Sequence, residues 1–334
     1  MRDLLRPIVV APMAGGPSTA DLVIAAGQAG ALGFLAAGYK TPEAVEAEVR
    51  SVRGACSGYG VNLFVPLPPP PDVAAVERYR EALRPEAERY GVDLPPVRLT
   101  DDDHFASKVE IAVEYRVPLV SFTFGVPPVE AVRALRAAGS AVLITVTSGE
   151  EARRALAVEP DGLIAQGGEA GGHSATFSPA AYRGDRGVRA VLAEVLTVTD
   201  LPVIAAGGAG ARGAVPGLLA AGAAAVQCGT AFVLADEAGT RPAQRAAMLS
   251  GEPAETVVTR AFTGQPARAL RNRFVAAYSS LAPVGYPAIH HLTAPIRAAA
   301  ARLGDASALN LWAGVGHAGA HAAPVATLVD RLQE

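Results

Sequence analysis

Gly162-Leu163-Ile164-Ala165-Gln166-Gly167-Gly168-Glu169-Ala170-Gly171-Gly172-His173 is the stretch on which the reading of the fold turns. Residues 162–165 form a short apolar run, the signature of a strand buried on both faces. Four glycines then let the backbone turn, or approach a ligand, where a Cβ would clash. His173 closes the loop, and Glu169 is its other titratable group. Glycine-rich loops at strand exits are common sites of chemistry in α/β proteins. Taken alone, the stretch reads equally as a tight turn ending in a surface histidine.

Working outward, similar apolar runs recur at 7–11, 31–36, 60–65, 119–122, 141–146, 202–205 and 224–228. Helical patterns separate them. Ser18 caps a first helix with Asp21 at its third position, and Thr41-Pro42 opens a second that runs to about Arg53. Further helices are expected at 72–90, 101–116, 128–138, 187–198, 212–221, 293–303 and 323–332, with Thr147 or Ser148 capping another to about Ala157. Eight strand-like runs alternating with helices fit a closed α/β barrel, a (β/α)8 TIM barrel, better than an open doubly wound sheet. Five prolines in 66–71 break the rhythm, and the pattern ends near Leu234. The expected organisation is a barrel from 1–66, 101–235 and 295–334, with a smaller cap from 67–100 and 236–294. The latter segment reads as irregular with helical pieces.

Composition narrows the function. The chain has 334 residues, half of them apolar, and a net charge of −3 without basic or acidic blocks. Nucleic acid and anionic membrane are therefore unexpected partners. Cys56 and Cys228 form no metal-ligand spacing, and two thiols in so long a chain suit a reducing cytoplasm. No signal peptide is evident at the N-terminus, and apolar runs stop well short of a membrane span. A monomer or homodimer acting on a small molecule is expected.

Barrel chemistry sits at the C-terminal ends of strands. There the sequence places Pro12-Met13-Ala14, Asn62, Phe124, Gln166 with the glycine loop, Gly207-Gly208, and Gln227-Cys228-Gly229-Thr230. Glycine loops after the seventh and eighth strands, with a helix starting near Thr230, suit a phosphate held by backbone N–H groups. Asn62 and Gln166 each carry a donor and an acceptor, as a nucleobase or isoalloxazine edge requires, or they are satisfied core amides.

In six motifs the chain resembles the nitronate monooxygenase family of FMN-dependent barrels. These are Ala11-Pro12-Met13-Ala14-Gly15, Val61-Asn62-Leu63-Phe64-Val65-Pro66, Val120-Ser121-Phe122-Thr123-Phe124-Gly125, Gln166 to His173, Ala205-Ala206-Gly207-Gly208, and Val226-Gln227-Cys228-Gly229-Thr230. The resemblance implies FMN at Pro12, Met13, Ala14, Asn62, Gln166, Gly171, Gly172, Gly207, Gly208, Gln227, Cys228, Gly229 and Thr230. His173 is implied to be catalytic, and no metal is implied. An imidazole titrating near neutrality removes a proton from a nitroalkane or stabilises the nitronate anion. A reduced flavin or flavin radical then reacts with O2, giving a carbonyl compound and nitrite. Phe124, Tyr286 and His290 are the substrate-side candidates. The chain departs from the family at Ser174-Ala175-Thr176, where Arg-Gly commonly follows the histidine. It departs again at Tyr286, His290 and Ala294, where a Tyr-x₃-Tyr-x₃-Lys pattern occurs in relatives. His290 and His291 also read as exposed loop histidines or a helix N-terminal pair, and Trp312 as packing. Two other readings stay open: an NAD(P)H-dependent FMN reductase of quinones or enoyl-acyl-carrier-protein type, and a barrel that binds FMN without turnover.

Overall fold

The computed structural model describes residues 4–211 and 213–334. Strands in chain order are β1 (Ile8–Val10), β2 (Leu32–Ala36), β3 (Tyr59–Phe64), β4 (Leu119–Thr123), β5 (Ala141–Val146), β6 (Gly162–Gln166), β7 (Gly172–His173), β8 (Val203–Ala206), β9 (Ala225–Cys228), β10 (Thr256–Thr259) and β11 (Ala267–Leu270). All but β7, β10 and β11 form a closed parallel barrel. It closes where β1 meets β9, with Val9 opposite Gln227. The fold is therefore the TIM barrel expected from the eight runs.

Side-chain alternation explains what the barrel holds. Val9, Leu32, Phe34, Leu119, Leu143, Ile164, Ile204 and Ala225 form one buried apolar cluster across the strands. Gly60 makes room for Phe34, since a Cβ there would fall 2.1 Å from its ring. Two residues further along the strands stand Ala11, Asn62, Ser121, Thr145, Gln166, Ala206 and Gln227, and all seven line one cavity. The interior thus changes from apolar to polar within one side-chain layer, at the end where the loops gather.

Helix ends follow local chemistry, with some differences from the sequence reading. Thr41 caps Pro42–Ala55 as expected, and of the pair Thr147 and Ser148 it is Ser148 that caps Gly149–Leu156. Thr19, not Ser18, caps Ala20–Gln28. Ser18 instead accepts from the Met13 N–H at 2.8 Å and so shapes the loop after β1. The 72–90 helix is two helices, Val73–Ala82 and Arg84–Tyr90, where Pro85 begins a new turn. Asp101 to Asp103 precede the helix Phe105–Glu114 rather than starting it. The expected helix at Thr230 is only a 3₁₀ turn, Thr230–Phe232. The 293–303 helix starts earlier, as Ala288–Arg302, with Pro295 in its interior. Arg212, the expected start of another helix, lies outside the described residues; Ala214–Ala220 is helical.

The segment 236–294 is more ordered than its sequence suggests. Its strands β10 and β11 form an antiparallel hairpin, and β11 also pairs with β7, setting Ala267 opposite His173. A two-residue strand such as β7 gives no periodic signal, so this sheet is invisible in the sequence. One apolar cluster joins Val76, Tyr79 and Leu83 from the first insertion to Phe262, Phe274, Ile289 and Leu292. It continues through Ile296, Ala300, Leu309 and Leu311, beyond the boundary expected at 294/295. Helix Val325–Gln333 packs instead in the barrel cluster through Val325, Leu328 and Val329. Among the described residues, no helix is long and apolar enough to cross a membrane.

Candidate active site

A cleft of about 1330 Å³, counted to its open mouth, lies over the polar layer. Pro12, Met13, Ala14, Asn62, Gln166, Gly171, Gly172, His173, Gly207, Gly208, Gln227, Cys228, Gly229 and Thr230 all line it. Phe124, Tyr286 and His290 do not. Phe124 and Tyr286 form a small apolar cluster with Phe64 behind His173. His290 lies flat against Tyr39, ring centroids 4.1 Å apart, in the first turn of Ala288–Arg302. It is neither an exposed loop residue nor part of the cleft wall.

The amides have unequal tasks. Asn62 donates through Nδ2 to Ser121 O at 3.2 Å, Ser121 Oγ at 2.9 Å and Thr123 Oγ1 at 3.0 Å. A carbonyl cannot donate, so this contact fixes the amide's orientation. Asn62 Oδ1 meets no donor among the described residues. Gln166 is used differently. Its Nε2 donates to His173 O at 3.0 Å, and its Oε1 accepts from Ala175 N at 2.7 Å. It therefore ties both sides of the loop together rather than presenting a free donor–acceptor pair. Gln227 Oε1 is buried without a partner among the described residues. Burial pushes the Cys228 thiol up to about 12, which makes it a wall rather than a nucleophile.

The glycine loop is held from three directions. Glu169 Oε2 accepts from Val188 N at 2.8 Å, serving as a distant cap where Gly187 has no side chain. Arg268 donates from Nε to Gly168 O at 2.7 Å and from Nη2 to Gly184 O at 3.2 Å. The strap Trp312 to Gly316 crosses the loop, with Gly314 N donating to Thr230 Oγ1 at 2.9 Å and Val315 N to Glu169 O at 3.1 Å. Gly171 faces Gly314 so closely that a Cβ would lie 2.5 Å from Gly314 N. The N–H groups of Gly207, Gly208 and Gly229 donate to no carbonyl among the described residues. Orphan donors beside a cleft suit an oxyanion.

His173 sits among rings, with centroids 5.2 Å from Trp312, 5.6 Å from Phe124 and 6.3 Å from Tyr286. Its Nε2 lies 2.9 Å from Thr263 Oγ1. Burial, aided by the positive charge of Arg297, pushes its pKa down to about 3. The near-neutral titration expected from the sequence is corrected by this environment: desolvation disfavours the imidazolium. Trp312 is a cleft wall as well as a packing residue. Sequence reading also missed Thr263, Arg241, Gln244, Gly314 and Gly316. These come from the cap and the strap, and no local pattern connects them to strand ends.

The cleft contains a buried acceptor at Gln227, a second at Asn62, orphan backbone donors, and an apolar face at Met13 and Ala11. A flat ring system with N–H and C=O edges and an attached phosphate matches this set. The fold is a TIM barrel, and its cleft has the chemistry that a nucleotide-like cofactor would need.

Comparison with known proteins agrees. The chain belongs to the nitronate monooxygenase family, whose profile matches residues 1–334, and is a flavin oxidoreductase. It is 33% identical over 337 residues to a probable nitronate monooxygenase of Staphylococcus aureus (strain Newman), covering 99% of this chain and 94% of that protein. Nitroalkane oxidase from Streptomyces ansochromogenes is similar in structure, with TM-score 0.92, 45% identity, and coverage of 99% of this chain and 96% of that one. FabK from Thermotoga maritima matches at TM-score 0.76 and 25% identity, covering 99% and 93%.

Proposed function

We propose that this protein uses FMN and O2 to oxidise alkyl nitronates to a carbonyl compound and nitrite. The observation that carries this reading is His173 on the wall of a flavin-type cleft, neutral and held by Thr263. Family membership and the likeness to a nitroalkane oxidase support the substrate class. In this reading, the N–H groups of Gly207, Gly208 and Gly229 hold the cofactor phosphate, and Asn62 and Gln227 accept from its donors. FMN, when bound, supplies the electron transfer between substrate and O2. A one-to-one reaction with water would release H2O2; with both atoms of O2 ending in carbonyl groups, as proposed here, the balance is two nitronates per O2. Oxygen uptake with nitrite release at about that ratio, with no nicotinamide present, tests the proposal. Oxygen uptake without nitrite would reject it.

Thr263 supports a role for His173. The N–H of Gln265 points at Thr263 Oγ1 from 3.4 Å, so that oxygen already accepts. In this reading its hydrogen goes to His173 Nε2 at 2.9 Å and not to Gln265 O at 3.4 Å, the two arrangements differing in which nitrogen of His173 carries the proton. His173 then carries its proton on Nδ1 and acts as a donor to a nitronate oxygen. A conjugate acid titrating near 3 also makes a poor base toward a neutral nitroalkane. Thr263→Val should lower kcat/KM for ethylnitronate about 10-fold, the value of one good hydrogen bond. In ¹⁵N spectra the His173 ring should change from a pure Nδ1–H form to a mixture. A wild-type Nε2–H form would overturn this role and restore Nδ1 as a base.

The alternative reading is a nicotinamide-dependent FMN reductase. NAD(P)H consumption separates the two. We also read 67–100 with 236–294 as the cap, and extend it to about Leu311 on the shared apolar cluster. The two free thiols favour a cytoplasmic setting.

A further inference from the structure

Arg241 and Gln244 stand where the cap meets the cleft, at the start of helix Pro242–Ser250, and both line the cleft wall. Neither was reached by the strand-end reading. Gln244 is only 3% exposed, yet its side-chain amide bonds no described residue. Arg241 donates from Nη2 to Asn310 Oδ1 at 2.8 Å, a neutral partner. Its Nε is buried and has no acceptor among the described residues. No carboxylate among the described residues pairs with Arg241. The carboxylate that lines the cleft, Glu169, is committed to Val188 N. A second guanidinium, Arg297, feels the positive charge of Arg241, and burial holds it down to about 10.

A buried guanidinium normally has an anionic partner, because leaving its donors unmet forfeits hydration without return. Here Arg241, with an unmet Nε, and Gln244, with an unbonded amide, both line the wall of one cavity. We infer that Arg241 and Gln244 form an oxyanion subsite of the cleft, for a carboxylate carried by the substrate or for a phosphate. The guanidinium supplies charge and a directed N–H, and the Gln244 amide supplies a second donor. This inference rests on reading the cleft as the flavin and nitronate site.

The test uses Gln244→Met, which breaks no hydrogen bond in the protein, beside Arg241→Met. Each is compared with wild type in two assays. In the first, flavin-stripped protein is titrated with FMN and with riboflavin, and binding is followed by flavin fluorescence. In the second, kcat/KM is measured for ethylnitronate and for the nitronate of 3-nitropropionate, which adds a carboxylate. If the oxyanion is the substrate's, Arg241→Met lowers kcat/KM for the carboxylated nitronate at least about 10-fold more than for ethylnitronate. Gln244→Met shows the same bias at about 3-fold. If the oxyanion is a phosphate, the variants weaken FMN by those factors relative to riboflavin, and the two nitronates are affected alike. Either bias supports the subsite and identifies its source. Loss of neither kind, or equal losses across both pairs of probes, overturns it. A wild-type protein that binds neither flavin would instead overturn the reading of the cleft, so the two failures are distinct.

Discussion

Replacing Gly171 with alanine should strip the protein of flavin. The added methyl would lie 2.5 Å from Gly314 N and 2.7 Å from Ala313 C, both backbone atoms, and 2.9 Å from Thr230 Oγ1. A flexible side chain could swing aside, but backbone cannot move without its neighbours. The strap would have to lift, breaking the Gly314 to Thr230 and Val315 to Glu169 bonds that fasten it over the loop. Overpacking of this kind typically costs about 1–3 kcal/mol, and losing two hydrogen bonds raises the figure toward its upper end. Thr230 and the adjoining glycine loops would lose their arrangement together. The expected outcome is a colourless protein with a melting temperature several degrees lower. A yellow Gly171→Ala protein of normal stability would show that the strap does not close the cofactor cleft.

His173→Asn should lower kcat/KM for nitronates by about 10²–10³, the usual weight of one positioned donor to an oxyanion. It should also change how stability depends on pH. The folded pKa of about 3 lies below the ordinary value of 6.5, so the unfolded chain binds a proton that the folded one refuses. His173 therefore costs nothing above 6.5, and stability is lost as pH falls from there toward 3. Between about pH 7 and pH 5 the cost is about 2 kcal/mol, set mainly by the unfolded pKa. His290 and His291 are depressed in the same direction, by burial first, and add to the acid sensitivity. Denaturant titrations at the two pH values should find the wild type losing about 2 kcal/mol more than the variant. Equal losses would mean that His173 keeps its proton in the folded protein.

Much of this was legible because barrel strands advertise themselves. Runs such as Ala141 to Val146 are continuous and apolar, and polar residues such as Asn62, Gln166 and Gln227 stand out at their ends. Glycines 207, 208 and 229, likewise at strand ends, line the cleft. The cap was less legible. Its hairpin meets β7 through only two residues, and Thr263 reaches His173 from 90 positions away. Nothing at Thr263 or Arg241 differs locally from a surface residue; their placement follows from tertiary packing. His173 stood out by its loop, but its depressed pKa comes from burial, among Phe124, Tyr286 and Trp312, and from the charge of Arg297.

An anaerobic visible spectrum of the purified protein, before and after ethylnitronate and separately NADPH and NADH, tests the central claim most directly. The account predicts bound flavin that nitronate alone bleaches, with nicotinamides giving no fast change. Bleaching by a nicotinamide but not by nitronate would contradict it and make the protein a reductase.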